Sequence, residues 1–265
     1  MTTPAPWSSL REFTDARIAL GRAGVSQPTA AHLAFQLAHA QARDAVGLPL
    51  DLVQMSKALK PLDGPLIALH SAAPDRARYL QRPDWGRRLD EASSERLRAL
   101  RPHKVNGENA FDLAFVIADG LSAQAVHRHA LPLLSTLRQS LREDPAQRWR
   151  LAPLTVVEQG RVAVGDEVGE CLAARCVVVL IGERPGLSSP DSLGVYFTWS
   201  PRVRRSDAER NCISNVRDAG LAPALAARRL HALLARSRQL ELSGIALKDD
   251  MVESLDRVMA TGISR

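Results

Sequence analysis

The spacing of apolar residues changes near residue 105. Before it, apolar positions recur every three or four residues. In "SQPTAAHLAFQLAHAQARDAV" Leu33 and Leu37, with Ala30 and Ala40, form one stripe, while His32, Gln36, His39 and Arg43 share another face. That is the pattern of an amphipathic helix. Ser26 and Thr29 are its candidate caps, Pro28 suits a first turn, and Gly47 and Pro49 close it. "LDLVQMSKALK" predicts a second, shorter helix. "PDRARYLQRPDWGRRLDEASSERLRALRP" is rich in charge and proline and reads as part helix, part linker. Pro102 and the turn in "HKVNGENAF" place a boundary near residue 105.

After the boundary, short continuous apolar runs alternate with helical patterns. "DLAFVIADGLS" predicts a buried strand ending at Asp119-Gly120, and "SAQAVHRHALPLLSTLRQSLRE" a helix capped by Ser122. "RLAPLTVVEQGRVAV" predicts short strands around the turn at Gln159-Gly160, and "DEVGECLAA" a brief helix. "CVVVLIGERPG" and "SLGVYFTWSP" predict two further strands, and "LAPALAARRLHALLARSRQLELSG" a long basic helix. Strands alternating with helices predict an α/β fold, with an open parallel or mixed sheet and helices on both faces. A smaller helical part, residues 1–104, precedes this unit, residues 105–265. Ligands of such sheets bind outside the carboxyl ends of the strands. The two candidate edges are Asp119-Gly120-Leu121-Ser122 and Gly182-Glu183-Arg184-Pro185-Gly186.

Composition narrows the function classes. The chain has 265 residues, 45% hydrophobic and 24% charged, as in a globular protein. It carries no uninterrupted apolar run of membrane-spanning length and no signal-peptide pattern at its start. Cys171, Cys176 and Cys212 are too few and too irregular for a disulfide framework or a four-cysteine zinc site, and they predict free thiols in a reducing compartment. The net charge of +6 and the arginine-rich last helix would suit nucleic acid. No basic block is interleaved with aromatics, however, and Leu225, Leu230, Leu233 and Leu234 give that helix a packing stripe. No nucleic-acid partner and no membrane partner is predicted.

Several catalytic signatures are absent. There is no G-x-G-x-x-G, no G-x-x-x-x-G-K-[ST] and no G-x-S-x-G. His127 and His129 stand two apart on a predicted helix, which sends the rings to different faces and makes a poor metal pair. Cys212 has no base in a recognisable pattern and reads as a small core or pocket-lining residue. Glu183 is a lone carboxylate, to be weighed against a surface charge paired with Arg184.

Four blocks in order are more specific: "REFTDARIALGRAG", "AFQLAHAQARDAV", "CVVVLIGERPGL" and "RNCISNVRDAG". Together they resemble the small (light) subunits of ethanolamine ammonia-lyases, from Leu10 to about Leu247. The resemblance implies a helical N-terminal part and a Rossmann-like C-terminal domain. It implies an enzyme that converts ethanolamine to acetaldehyde and ammonia with adenosylcobalamin, and a large subunit that holds the substrate. The cofactor would lie between the subunits, with no catalytic residue supplied by this chain. Three positions match the family's cobalamin-associated residues: Val162 in the "GRV" turn, Glu183 in "GERPGL" and Cys212 in "RNCISN". No D-x-H-x-x-G motif is present, so no metal ligand is expected here. The alternative is a non-catalytic Rossmann-like binding or assembly module. Only "MTTPAPWSS" precedes the first block, where relatives from microcompartment-forming bacteria carry a longer extension. A free cytoplasmic enzyme is therefore expected ahead of one in a bacterial microcompartment. The tail "KDDMVESLDRVMATGISR" extends past the resemblance, either as an added surface helix or as solvated chain.

Overall fold

A computed structural model describes residues 2–62, 64–100, 110–145 and 148–248. The expected boundary turn near residue 105 and the tail beyond Lys248 lie outside the described residues. Among those described, six strands and seven α-helices form a mixed α/β fold. The strands are β1 (Leu66–His70), β2 (Phe111–Ala118), β3 (Leu154–Glu158), β4 (Ala174–Gly182), β5 (Leu193–Trp199) and β6 (Arg210–Val216). They make one sheet in the order β1-β3-β2-β4-β5-β6. The first four run parallel; β5 and β6 are antiparallel additions at one side. The helices are α1 (Thr29–Gly47), α2 (Leu52–Leu59), α3 (Arg76–Gln81), α4 (Glu91–Ala99), α5 (Ala123–Glu143), α6 (Val164–Cys171) and α7 (Pro223–Leu240).

Helices cover both faces of the sheet, and each face has its own core. On one, Leu113, Phe115 and Ile117 of β2 meet Val126, Leu133 and Leu137 of α5 and Leu230 and Leu234 of α7. On the other, Ala114, Val116 and Ala118 meet Val164 and Val168 of α6 and Leu97 of α4. Burial on both faces explains why β2 and β4 are continuous apolar runs rather than alternating ones. Ser122 caps α5 as expected, its Oγ accepting from the Ala125 N–H at 3.2 Å.

Five local expectations change. Arg161–Ala163 forms no second strand after the Gln159-Gly160 turn; it leads directly into α6. Strand β1, from the first 104 residues, pairs with β3 at the sheet edge, and β6 occupies a segment with no strand expectation. Helix α1 starts behind Pro28 with no side-chain cap, because neither Ser26 nor Thr29 reaches a first-turn N–H. Finally, the Leu33–Leu37 stripe is not core: these side chains are 57% and 61% exposed, and α1 buries only Ala38 and Ala45.

Candidate functional site

The ends of β2 and β4 pass each other at glycine distance. A Cβ on Gly182 would stand 2.0 Å from the Ser122 carbonyl oxygen, and one on Gly120 would stand 2.2 Å from the Gly182 carbonyl oxygen. Gly120 also has a φ of +57°. The Leu121 N–H closes this contact by donating to the Gly182 carbonyl at 2.9 Å. Strand β4 therefore stops at Gly182 for want of room, and Glu183 is the first side chain beyond the crossing.

Asp119, on the other candidate edge, is consumed internally. It is 1% exposed, accepts from the Gly160 N–H at 3.0 Å, and pairs with Arg76 at 3.2 Å. Burial pushes its carboxyl up to about 6, against the pull of Arg76. Arg76 also donates to the carbonyls of Gly120 and Val46, both at 2.8 Å, and lies over the ring of Tyr79. Tyr79 is fully buried and donates to the Gly160 carbonyl at 3.0 Å. Helix α3 thus fills the strand ends of β2 and β3 with the protein's own side chains.

Glu183 is held differently. Its N–H donates to the Ser192 carbonyl at 2.9 Å. Its carboxylate accepts twice at Oε2, from the Ser192 hydroxyl at 2.5 Å and from the Asn215 N–H at 3.3 Å. The second bond depends on a bulge in β6. Leu193 pairs with Val216 but Val195 pairs with Ile213, so β6 carries one extra residue there. Asn215 absorbs it with φ +59°, a left-handed conformation that asparagine tolerates better than most residues. Beneath the carboxylate is Gly194, whose added Cβ would sit 3.0 Å from Oε1. Glu183 makes no ion pair with its exposed neighbour Arg184 among the described residues. The loop back to β5 is pinned to α5: Ser122 Oγ donates to the Pro190 carbonyl at 2.8 Å, Asp191 pairs with Arg128 at 2.7 Å, and His129 Nε2 stands 3.5 Å from Asp191.

Cys212 lies opposite Tyr196 across the β5–β6 ladder, so the two side chains share one face. The thiol is exposed, which overturns the core reading and not the pocket-lining one, because β6 is the sheet edge. It stands 3.1 Å from Ser214 Oγ. Burial raises the Tyr196 hydroxyl above its ordinary range, and the neighbouring Cys212 and Glu183 push it the same way. Glu183 and Cys212 therefore meet around Tyr196. Val162 is half-buried in the loop after β3 and packs, like Tyr196, against the α6-side core. All three expected residues belong to that face, but Val162 approaches it from beyond β4. Tyr196, Ser192 and Asn215 were not expected. The alternation in "LGVYFTW" was the available signal for Tyr196, since it sets Gly194, Tyr196 and Thr198 opposite the core-facing Leu193, Val195 and Phe197.

Among the described residues no cluster of three or more His, Cys, Asp or Glu side chains could hold a metal ion, and no helix is long and apolar enough to cross a membrane. His127 instead accepts from the Asp51 N–H at 3.2 Å.

Residues 4–248 match the model of a family described as ethanolamine ammonia-lyase light chain. The chain is 59% identical over 250 residues to the ethanolamine ammonia-lyase small subunit of Azotobacter vinelandii, covering 94% of this chain and 90% of that one. It is 57% identical over 252 residues to the small subunit of Pseudomonas aeruginosa, covering 95% and 90%. Against that of Ralstonia nicotianae it is 56% identical over 247 residues, covering 93% and 89%. With a match this long and identity this high, the chain belongs to the ethanolamine ammonia-lyase light-chain family.

Proposed function

We propose that this chain is the small subunit of an ethanolamine ammonia-lyase. With a large subunit it converts ethanolamine to acetaldehyde and ammonia, and it forms one wall of an adenosylcobalamin site through Val162, Glu183 and Cys212. The observation that carries the cofactor reading is the Glu183 edge. The Oε2 of Glu183 is engaged by Ser192 and Asn215, while its Oε1 lies over Gly194 with no donor among the described residues. A corrinoid is fringed with amide NH2 groups, which such an oxygen can accept. Val162 and Cys212 add small, largely apolar surface that leaves few polar atoms unpaired against the ligand. The residues present therefore fit the group.

When bound, adenosylcobalamin supplies radicals by homolysis of its cobalt–carbon bond. This chain's residues bind, orient and exclude water; none of them is assigned a proton transfer. The substrate-contacting residues belong to the large subunit. The need for that partner is supported by the first 53 residues, where Trp7, Phe13, Val25, Leu33, Leu37 and Val53 all lie exposed. A surface of that kind favours burial against another subunit. We read residues 1–104 as the part that contacts the large subunit and residues 105–265 as a Rossmann-like cobalamin-binding unit. Because β1 joins the sheet from the first part, this is a division of role rather than of core. Three free cysteines suit a reducing cytoplasm.

The test is reconstitution. The chain is co-expressed with its large subunit, and acetaldehyde is followed from ethanolamine with added adenosylcobalamin, beside each subunit alone. Turnover only in the pair, with Glu183→Ala raising the cofactor requirement, is the expected result. Turnover with the large subunit alone would demote this chain to an assembly module.

A further inference from the structure

Glu183 has two chemically equivalent oxygens, and the structure treats them differently. The Ser192 hydroxyl and the Asn215 N–H both donate to Oε2, while no donor among the described residues reaches Oε1. Ser192 is 5% exposed, so its hydroxyl has no bulk water with which to exchange this bond. The same residue accepts from the Glu183 main-chain N–H through its carbonyl, so it holds Glu183 at one main-chain and one side-chain point. Its predecessor Asp191 pairs with Arg128 on α5.

We infer that Ser192 is a positioning residue for the cofactor site: with Asn215 it fixes the rotation of the Glu183 carboxylate, so that Oε1 alone faces the corrinoid as an acceptor. This rests on the reading of Glu183 given above. It has a consequence that bare proximity lacks. In Glu183→Gln the inward position must remain an oxygen, because the Asn215 N–H can only donate. The amide NH2 is then turned outward, a donor facing the ligand's own donors. The near-isosteric variant should bind as poorly as Glu183→Ala.

The test uses the reconstituted small–large complex, with cyanocobalamin as an inert probe titrated by its absorbance, so no turnover is needed. Ser192→Ala is expected to weaken binding about tenfold, the scale of one hydrogen bond to a charged group, at a temperature where the complex stays folded. Added to Glu183→Ala it should do nothing further, since it acts only through that carboxylate. Ser192→Ala without effect beside a damaging Glu183→Ala would overturn the positioning role and leave the site intact. So would additive losses in the double variant, or near-normal binding by Glu183→Gln. Unchanged binding in Glu183→Ala would remove the site reading itself and this inference with it.

Discussion

Arg210 opens β6 and reaches back under the sheet to α6. Its guanidinium donates to the Asp166 carboxylate, to Asp207 at 2.8 Å and to the Arg205 carbonyl at 2.9 Å. The Arg210 and Asp166 side chains are only 3% and 2% exposed. This pair fastens the edge strand that carries Cys212 to the helix that follows Val162. Arg210→Ala would leave Asp166 ionised, buried and unpaired, a loss of about 3–5 kcal/mol. The carboxyl has one escape, which is to bind a proton. Burial already pushes it up to about 6 even with Arg210 pulling it down, and without that cation it rises further. An acid whose folded pKa exceeds its unfolded value stabilises the fold below the unfolded pKa, and that contribution is lost as pH rises through the folded pKa. In the parent chain the loss is complete a little above about pH 6; in the variant it continues upward. The stability gap should therefore be smallest near about pH 5 and widest near about pH 8. Urea unfolding of the purified chain, followed by far-UV circular dichroism across that range, gives the gap directly. A difference under about 1 kcal/mol at the upper end, the scale of an exposed pair, or one that does not change with pH, would refute the reasoning. Replacing both partners by Arg210→Met and Asp166→Leu should recover most of the loss, because no charge is then stranded.

Tyr79→Phe should destabilise the chain by about 1–3 kcal/mol, because it leaves the buried Gly160 carbonyl without its donor; a shift in urea midpoint with unchanged slope is the check. Gly182→Ala should distort the crossing of β2 and β4, since the new methyl meets the Ser122 carbonyl oxygen at 2.0 Å. The expected loss is about 1–3 kcal/mol, together with weaker cyanocobalamin binding, because Glu183 is the next residue.

The elements legible in the sequence are those whose burial is uniform. Strands β2 and β4 announce themselves as unbroken apolar runs, and α5 by its cap and its stripe from Val126 to Leu141. Strand β1 is hidden by its half-buried, alternating pattern at the sheet edge, and β6 by its bulge. The bulge breaks the alternation that Ile213 and Val216 would otherwise keep. The Leu33–Leu37 stripe misleads for another reason: periodicity reports that a face is apolar, not that this chain covers it. Of the site, Val162, Glu183 and Cys212 came from the order of four blocks, not from spacing. Ser192 and Asn215 had no local signal, because what makes them matter is a strand register and a left-handed residue some thirty positions from Glu183.

The strand order reverses around β2, with β3 on one side and β4 on the other, and the helices after β2 and β3 lie on opposite faces. An open α/β sheet binds its ligand in the crevice this creates. Here Arg76 and Tyr79 occupy it, held by Asp119, Gly120 and Gly160. The missing glycine-rich fingerprint agrees with this filling of the strand ends by Arg76 and Tyr79. The neighbouring side, where antiparallel β5 and β6 extend the sheet, leaves Cys212 and Ser214 exposed along the edge strand. Under the function proposed above, a wide, amide-edged ligand shared with another subunit suits that edge better than a crevice sized for a nucleotide, and the Glu183 carboxylate stands beside it.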